Sequence, residues 1–207
     1  MVYESKYVIR TLIFDLGNVI VPFDFKLGYQ RISALCGCPA AEIPVRIRST
    51  GLVQPFETGQ IPAEQFVREL CSVLGLNATY PEFCELWSSV FLPDTLIAEA
   101  FLGGLGERYR LLLLSNTNPI HFSMVKANYP LLGHFDDYVL SYEVRSAKPE
   151  SKIYQEALTR AGCEPAECFF TDDMLINVEA ARQHGMDAVQ FQSASQLESE
   201  LRTRGVL

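Results

Sequence analysis

With 207 residues and 48% hydrophobic content, the chain has enough apolar material for one sizeable core, or for a core with a small inserted domain, and it is not disordered. A formal net charge of -8 excludes a general binder of nucleic acid or of anionic membranes, because such proteins displace counterions with clustered positive charge. No apolar run approaches the roughly eighteen residues of a membrane span, and Glu4, Lys6 and Arg10 interrupt the first ten residues, so a cytoplasmic protein is expected.

Regular structure opens in the stretch Val8 to Val21, V-I-R-T-L-I-F-D-L-G-N-V-I-V. Leu12, Ile13 and Phe14 read as a strand buried on both faces, as the centre of a parallel sheet requires. Asp15 is costly in such surroundings unless the strand ends there, at the carboxyl edge where open α/β folds place their ligands. Gly17 then lets the backbone turn so that a main-chain carbonyl faces the same spot. From Phe25 the apolar spacing becomes helical, over 25 to 36, 40 to 49, 63 to 74 and 80 to 91, with Pro39, Gly51, Pro55, Gly59, Pro62, Gly75 and Pro81 as punctuation. A helical run of this length is no ordinary βα loop. Residues 21–93 therefore read as an inserted all-helical domain, and residues 1–20 and 94–207 as the core from which it emerges.

Beyond Pro93, helix and strand alternate. A helix over 95 to 107 precedes the strand 110 to 114, which ends at Ser115-Asn116-Thr117-Asn118. A helix from 119 to 128, a strand from 138 to 140 and the segment R-S-A-K-P-E-S-K follow, and that segment opens a helix over 151 to 161. Strand 168 to 170 runs into T-D-D, and helix 174 to 184, strand 187 to 191 and helix 195 to 204 complete the chain. Repeated βα units with buried strands specify a doubly wound parallel sheet of Rossmann-like architecture. The six cysteines form no C-x-x-C pair and read as reduced, and His184 sits where an imidazolium suits a helix end.

In a parallel sheet the carboxyl ends of the strands share one edge. That edge gathers Asp15, Ser115 with Asn116, and Asp172 with Asp173, while Lys148 stands in the loop after the third strand. The set contains a carboxylate able to act as nucleophile, two acids able to hold a hard cation, a hydroxyl and an ammonium. Phosphoryl transfer, which is mostly positioning and charge neutralisation, uses these parts.

The segments F-D-L-G-N-V, L-L-S-N-T-N, A-K-P-E-S-K-I-Y and F-F-T-D-D-M-L-I-N-V-E-A-A resemble, in order, the four motifs of the haloacid dehalogenase superfamily. The helical insert resembles its C1 cap. Within it, F-E-T-G-Q-I-P-A-E-Q-F is similar to the cap segment of phosphatases acting on α-D-glucose 1-phosphate, a subgroup that also carries D-L-G-N-V and S-N-T-N. The resemblance implies a Mg²⁺-dependent phosphatase acting on a small phosphorylated metabolite such as a sugar phosphate; a monomer or homodimer is expected. It implies that Asp15 attacks phosphorus to form an aspartyl-phosphate. Asp15, the Gly17 carbonyl and Asp173 would hold Mg²⁺, with Asp172 as a second ligand or water-holder. Ser115, with Asn116 beside it, would bind phosphoryl oxygens, Lys148 would neutralise the phosphate, and Asn177 would support the metal site.

Two positions depart from that pattern. Most such phosphatases carry a proton-shuttling Asp two residues after the nucleophile, where this chain has Gly17; Glu57 and Asp24 are the acids the cap side offers instead. Arg145 stands in a loop where relatives often have glycine. Two other readings follow: a binding protein that has lost catalysis, suggested by Gly17, and a 2-haloacid dehalogenase, disfavoured because adjacent acids without a cation repel an anionic substrate.

Overall fold

The computed structural model describes residues 8–207; the first seven, with Glu4, Lys6 and the start of the 1–20 segment, lie outside the described residues. Five strands, β1 (Thr11–Phe14), β2 (Arg110–Ser115), β3 (Asp137–Leu140), β4 (Cys168–Asp172) and β5 (Asp187–Gln190), form one parallel sheet in the order β3-β2-β1-β4-β5. The strand expected first in the chain is therefore the central one, and its four residues are completely or almost completely buried.

Alternation along the strands sends successive side chains to opposite faces. Leu12, Phe14, Leu111, Leu113 and Phe169 join one apolar cluster with Leu102, Val125 and Leu197, from helices α6 (Glu99–Gly106), α7 (Pro119–Asn128) and α11 (Ala194–Thr203). Ile13, Leu112, Leu114 and Phe170 join the other with Tyr154 and Val178, from α9 (Ser151–Ala161) and α10 (Leu175–Gln183). Both faces of the sheet are covered, as its near-continuous apolar strands require.

Between β1 and β2 lie five helices: α1 (Phe25–Cys36), α2 (Ile43–Thr50), α3 (Val53–Glu57), α4 (Ala63–Leu74) and α5 (Tyr80–Ser88). They pack round a core of their own in which Phe56 stacks on Phe66 at 4.0 Å, with Phe83 and Trp87 edge-on or stacked beyond; Ile120 of α7 joins it. The helix expected over 40–49 starts three residues later, with Pro44 in its first turn, and that expected over 80–91 stops at Ser88. Its last residues instead pair with the outgoing chain. Asp24 N donates to Val90 O at 2.8 Å and Leu92 N to Pro22 O at 2.9 Å, and Phe23 and Phe91 form an antiparallel bridge. The two connections to the insert thus run side by side as a neck.

A second contact joins the insert to the sheet. After β3 a single helical turn, α8 (Ser141–Val144), carries a fully buried serine. The Ser141 hydroxyl accepts from Thr117 N at 2.9 Å and lies within hydrogen-bond distance of two carbonyls, Thr117 O at 2.9 Å and Glu57 O at 2.6 Å. Close by, Gly59 has φ of +62°, and a Cβ there would lie 2.0 Å from Tyr142 O, so only glycine allows this approach of backbone to backbone.

Candidate active site

β1 ends one residue before Asp15, whose N–H still pairs with Thr171 O at 3.0 Å, so the carboxylate is fixed at the sheet edge beside Asp172. The chain then doubles back. Ile20 N and Val21 N both donate to Leu16 O at 2.9 Å, and Asn18 takes up φ of +53°, a left-handed conformation that asparagine tolerates better than most residues.

Lys148 organises the charges. Its Nζ lies 2.7 Å from Asp15 Oδ1 and 2.6 Å from Asp172 Oδ2, and donates to Leu114 O at 2.9 Å, so all three ammonium protons have acceptors. The loop bearing it is clamped by Asn116, whose amide donates to Lys148 O at 2.9 Å while its Oδ1 accepts from Lys148 N at 2.7 Å. Both ends of the Asn116 side chain thus hold the lysine loop. Asp172, completely buried, accepts further from Asn177 Nδ2 at 3.0 and 3.1 Å and from Met174 N at 2.9 Å. Asn177 thereby steadies Asp172, and Asp172 steadies Lys148.

Burial pushes the Asp15 carboxyl up from 3.8 to about 7; Lys148 pulls it down and Asp172 pushes it further up. Burial alone would lower Lys148, but the two carboxylates outweigh it and hold the ammonium above its ordinary value. Asp173 is raised by burial and by Asp172, against the pull of Asn18 and Lys148. Carboxylate oxygens of Asp15, Asp172 and Asp173 come within 4.8 Å of one another. Three carboxylates against one ammonium leave a buried site short of positive charge, and an all-oxygen donor set of this kind suits a hard divalent cation.

Ser115 is buried at the end of β2 and lines a small cavity of about 80 Å³ together with Gly17, Phe23, Asn116 and Glu57. That is the space of roughly two to three waters, on the scale of one phosphoryl group. A Cβ at Gly17 would lie 2.7 Å from Phe23 Cε1. The space of the shuttling acid is therefore taken by the Phe23 ring, held edge-on to Phe25 and Phe91. Asp24 caps α1, accepting from Lys26 N at 2.8 Å, and so serves the helix. Arg145 ends α8 at φ of +56° with an exposed side chain, the conformation for which glycine is the usual choice. His184 packs on Tyr154 and bonds Ser151 and Ala180, a structural role.

Glu57 stands at a boundary. It lines the small cavity and also a larger one of about 510 Å³ inside the insert, and burial raises its carboxyl above the ordinary range. His121 is shared by both cavities as well; burial lowers its imidazole to about 4, so it is neutral at pH 7. Sequence reasoning did not anticipate the roles of Phe23, His121 or Ser141. The only signal for them was position, immediately beyond a strand end or at the neck.

The family model for haloacid dehalogenase-like hydrolases matches residues 9–185. D-ribitol-5-phosphate phosphatase of Bacteroides thetaiotaomicron is 28% identical over 200 residues, covering 94% of this chain and 97% of its own. Flavin mononucleotide hydrolase 1 of Arabidopsis thaliana is 25% identical over 210 residues, covering 98% of this chain and 80% of its own. Among solved structures, a HAD family enzyme of Bacteroides thetaiotaomicron in complex with magnesium and inorganic phosphate superposes with a TM-score of 0.80 at 28% identity, covering 89% of this chain and 95% of its own.

Proposed function

The chain belongs to the haloacid dehalogenase-like hydrolases, and we propose on that footing that it is a Mg²⁺-dependent phosphatase acting on a small phosphorylated metabolite. The observation that carries the proposal is the Lys148 ammonium seated between the carboxylates of Asp15 and Asp172, with Asp173 beside them at the edge of the sheet. In this reading residues 1–20 and 94–207 form the catalytic core and residues 21–93 the cap.

Asp15, Asp173 and the Gly17 carbonyl would hold Mg²⁺, with Asp172 outside them as the group that orients Lys148. When bound, the cation supplies charge neutralisation for the phosphoryl oxygens and keeps Asp15 ionised. Ser115 donates to one phosphoryl oxygen, and Lys148 offsets the charge of another. An Asp15 oxygen attacks phosphorus, the bond from phosphorus to the alcohol oxygen breaks, and the alcohol leaves with one added proton. Water then attacks the aspartyl-phosphate, its proton goes to a base, and inorganic phosphate departs. Phosphate release from a panel of monoesters, with Mg²⁺ and with a chelator, tests this reading; release is expected only with the metal. Release unaffected by chelation, or none from any ester, would sink it.

With Gly17 in place of the shuttle, Glu57 is the acid that this reading assigns to the proton. It borders both cavities, where the ester oxygen must lie if the phosphoryl group occupies the smaller one. Burial raises its affinity for protons, which is the direction a general acid needs. Glu57→Gln should therefore slow an alkyl phosphate by about 10² to 10⁴, the usual worth of general acid catalysis, relative to acetyl phosphate, whose carboxylate leaves without a proton. Equal slowing of both substrates would mean that Glu57 only positions the cap.

The alcohol is a separate question. The cap segment F-E-T-G-Q-I-P-A-E-Q-F supports a sugar phosphate, as does the D-ribitol 5-phosphate relative, whereas the flavin mononucleotide relative supports an alcohol that carries a flat ring system beyond a polyol chain. Much of that segment is architectural: Phe56 is buried against Phe66, Thr58 is buried, and Gly59 presses on Tyr142.

A further inference from the structure

The larger cavity has no part in the chemistry just described, yet it adjoins the site. It shares Phe25, Glu57, Val90 and His121 with the small cavity at Ser115, so whatever is esterified to a phosphoryl group there extends into it past Glu57. At about 510 Å³ it is within the range of pockets that enclose drug-sized ligands, well beyond what a pentitol fills. Phe25, Tyr29, Ile32, Trp87 and Val90 supply mostly carbon walls. Phe25 and Tyr29 lie nearly parallel, with 13° between the ring planes, and Phe25 is 47% exposed at the edge of the insert. His121 adds a neutral ring, stacked on Trp87 at 5.6 Å, with both nitrogens already bonded, to Trp87 O and Asn118. A free sugar needs several directed donors and acceptors to replace its hydration; the lining offers Arg48, Gln54, Glu57 and the unbonded Trp87 Nε1, and carbon over most of the rest.

We propose that this cavity is the leaving-group subsite and that it takes a flat, largely apolar alcohol, so that the substrate is the phosphate monoester of such an alcohol. The inference rests on the phosphatase reading above, but its first test does not need turnover. Trp87 is the chain's single tryptophan and lines the cavity, so its emission reports on occupancy. Titration with 4-biphenylmethanol should change Trp87 emission saturably, ribitol should leave it unchanged, and Val53→Phe, which narrows the cavity, should weaken the alcohol about tenfold. In turnover, kcat/KM for biphenylmethyl phosphate should exceed that for ribitol 5-phosphate and glucose 1-phosphate by about tenfold or more, and Val53→Phe should shrink that ratio. No saturable response, or a preference for the polyol and sugar esters while acetyl phosphate is still hydrolysed, would overturn the subsite and leave the phosphatase standing. Alcohol binding with no phosphate released from any compound, acetyl phosphate included, would overturn the phosphatase and the leaving-group role together.

Discussion

Asp15→Asn is expected to abolish phosphate release, by on the order of 10⁴-fold or more, because among the described residues the other acids beside this proposed nucleophile are Asp172, tied to Lys148 and Asn177, and Asp173, assigned to the metal. The same change should make the metal-free protein more stable at and above neutral pH. The sign follows from burial: the folded Asp15 carboxyl is raised from 3.8 to about 7, so the folded state holds a proton that the unfolded state has lost. Its favourable contribution is complete below about pH 4 and disappears as pH rises to about 7. An amide has nothing to ionise. Denaturant unfolding in chelator should therefore give curves for parent and variant that diverge between those pH values, by a few kcal/mol at most. Mg²⁺ should narrow the gap by stabilising the parent more. A variant that loses both activity and stability would show that Asp15 is a structural anchor.

Lys148→Met should be the most damaging single change to the metal-free fold. The lysine side chain is 1% exposed and neutralises two carboxylates, and removing one partner of a buried ion pair costs about 3 to 5 kcal/mol, since the other charges stay behind. Methionine nearly matches the lysine stem in volume, so packing contributes little to the loss. Turnover should fall by about 10² to 10³, the usual effect of losing one group that stabilises the transition state. Mg²⁺ should recover part of the stability while leaving the rate low. Thermal unfolding with and without Mg²⁺, beside steady-state rates, separates the two effects. Stability equal to the parent in chelator would mean that the carboxylates are protonated in the folded protein and need no counter-charge.

The sheet was legible because its strands are short, apolar and bounded by acids or turn residues, and the order of strand ends followed from parallel topology alone. Asp15, Ser115, Lys148, Asp172 and Asp173 all lie where that reasoning put them, at one edge. What each one touches was not legible. Asn116 was expected beside the phosphate, and its side chain holds the lysine loop; Asn177 was expected to support the metal site, and the contact it makes is with Asp172 of the acidic cluster. Both depend on side-chain directions in loops, where no periodicity fixes orientation. Gly17 read as a missing acid, but no sequence pattern could reveal that the Phe23 ring fills its place. The cavity of the insert escaped for a related reason, since its walls come from four helices of the insert and from α7, whose mutual packing the periodicity of each helix leaves open.

The serine after β3 bears on how such a protein admits and expels its cargo. A hydroxyl has one hydrogen, and Ser141 faces two carbonyls, one on its own sheet edge and one on the loop of the insert. Were the end of α3 to separate from it, the hydrogen could turn to Thr117 with no buried donor stranded, and the Glu57 carbonyl would be left to water. The contact at this point would therefore cost little to break. With glycine at 59 the two surfaces meet flush, and the neck at Pro22 and Leu92 is the other point at which the insert is joined to the sheet.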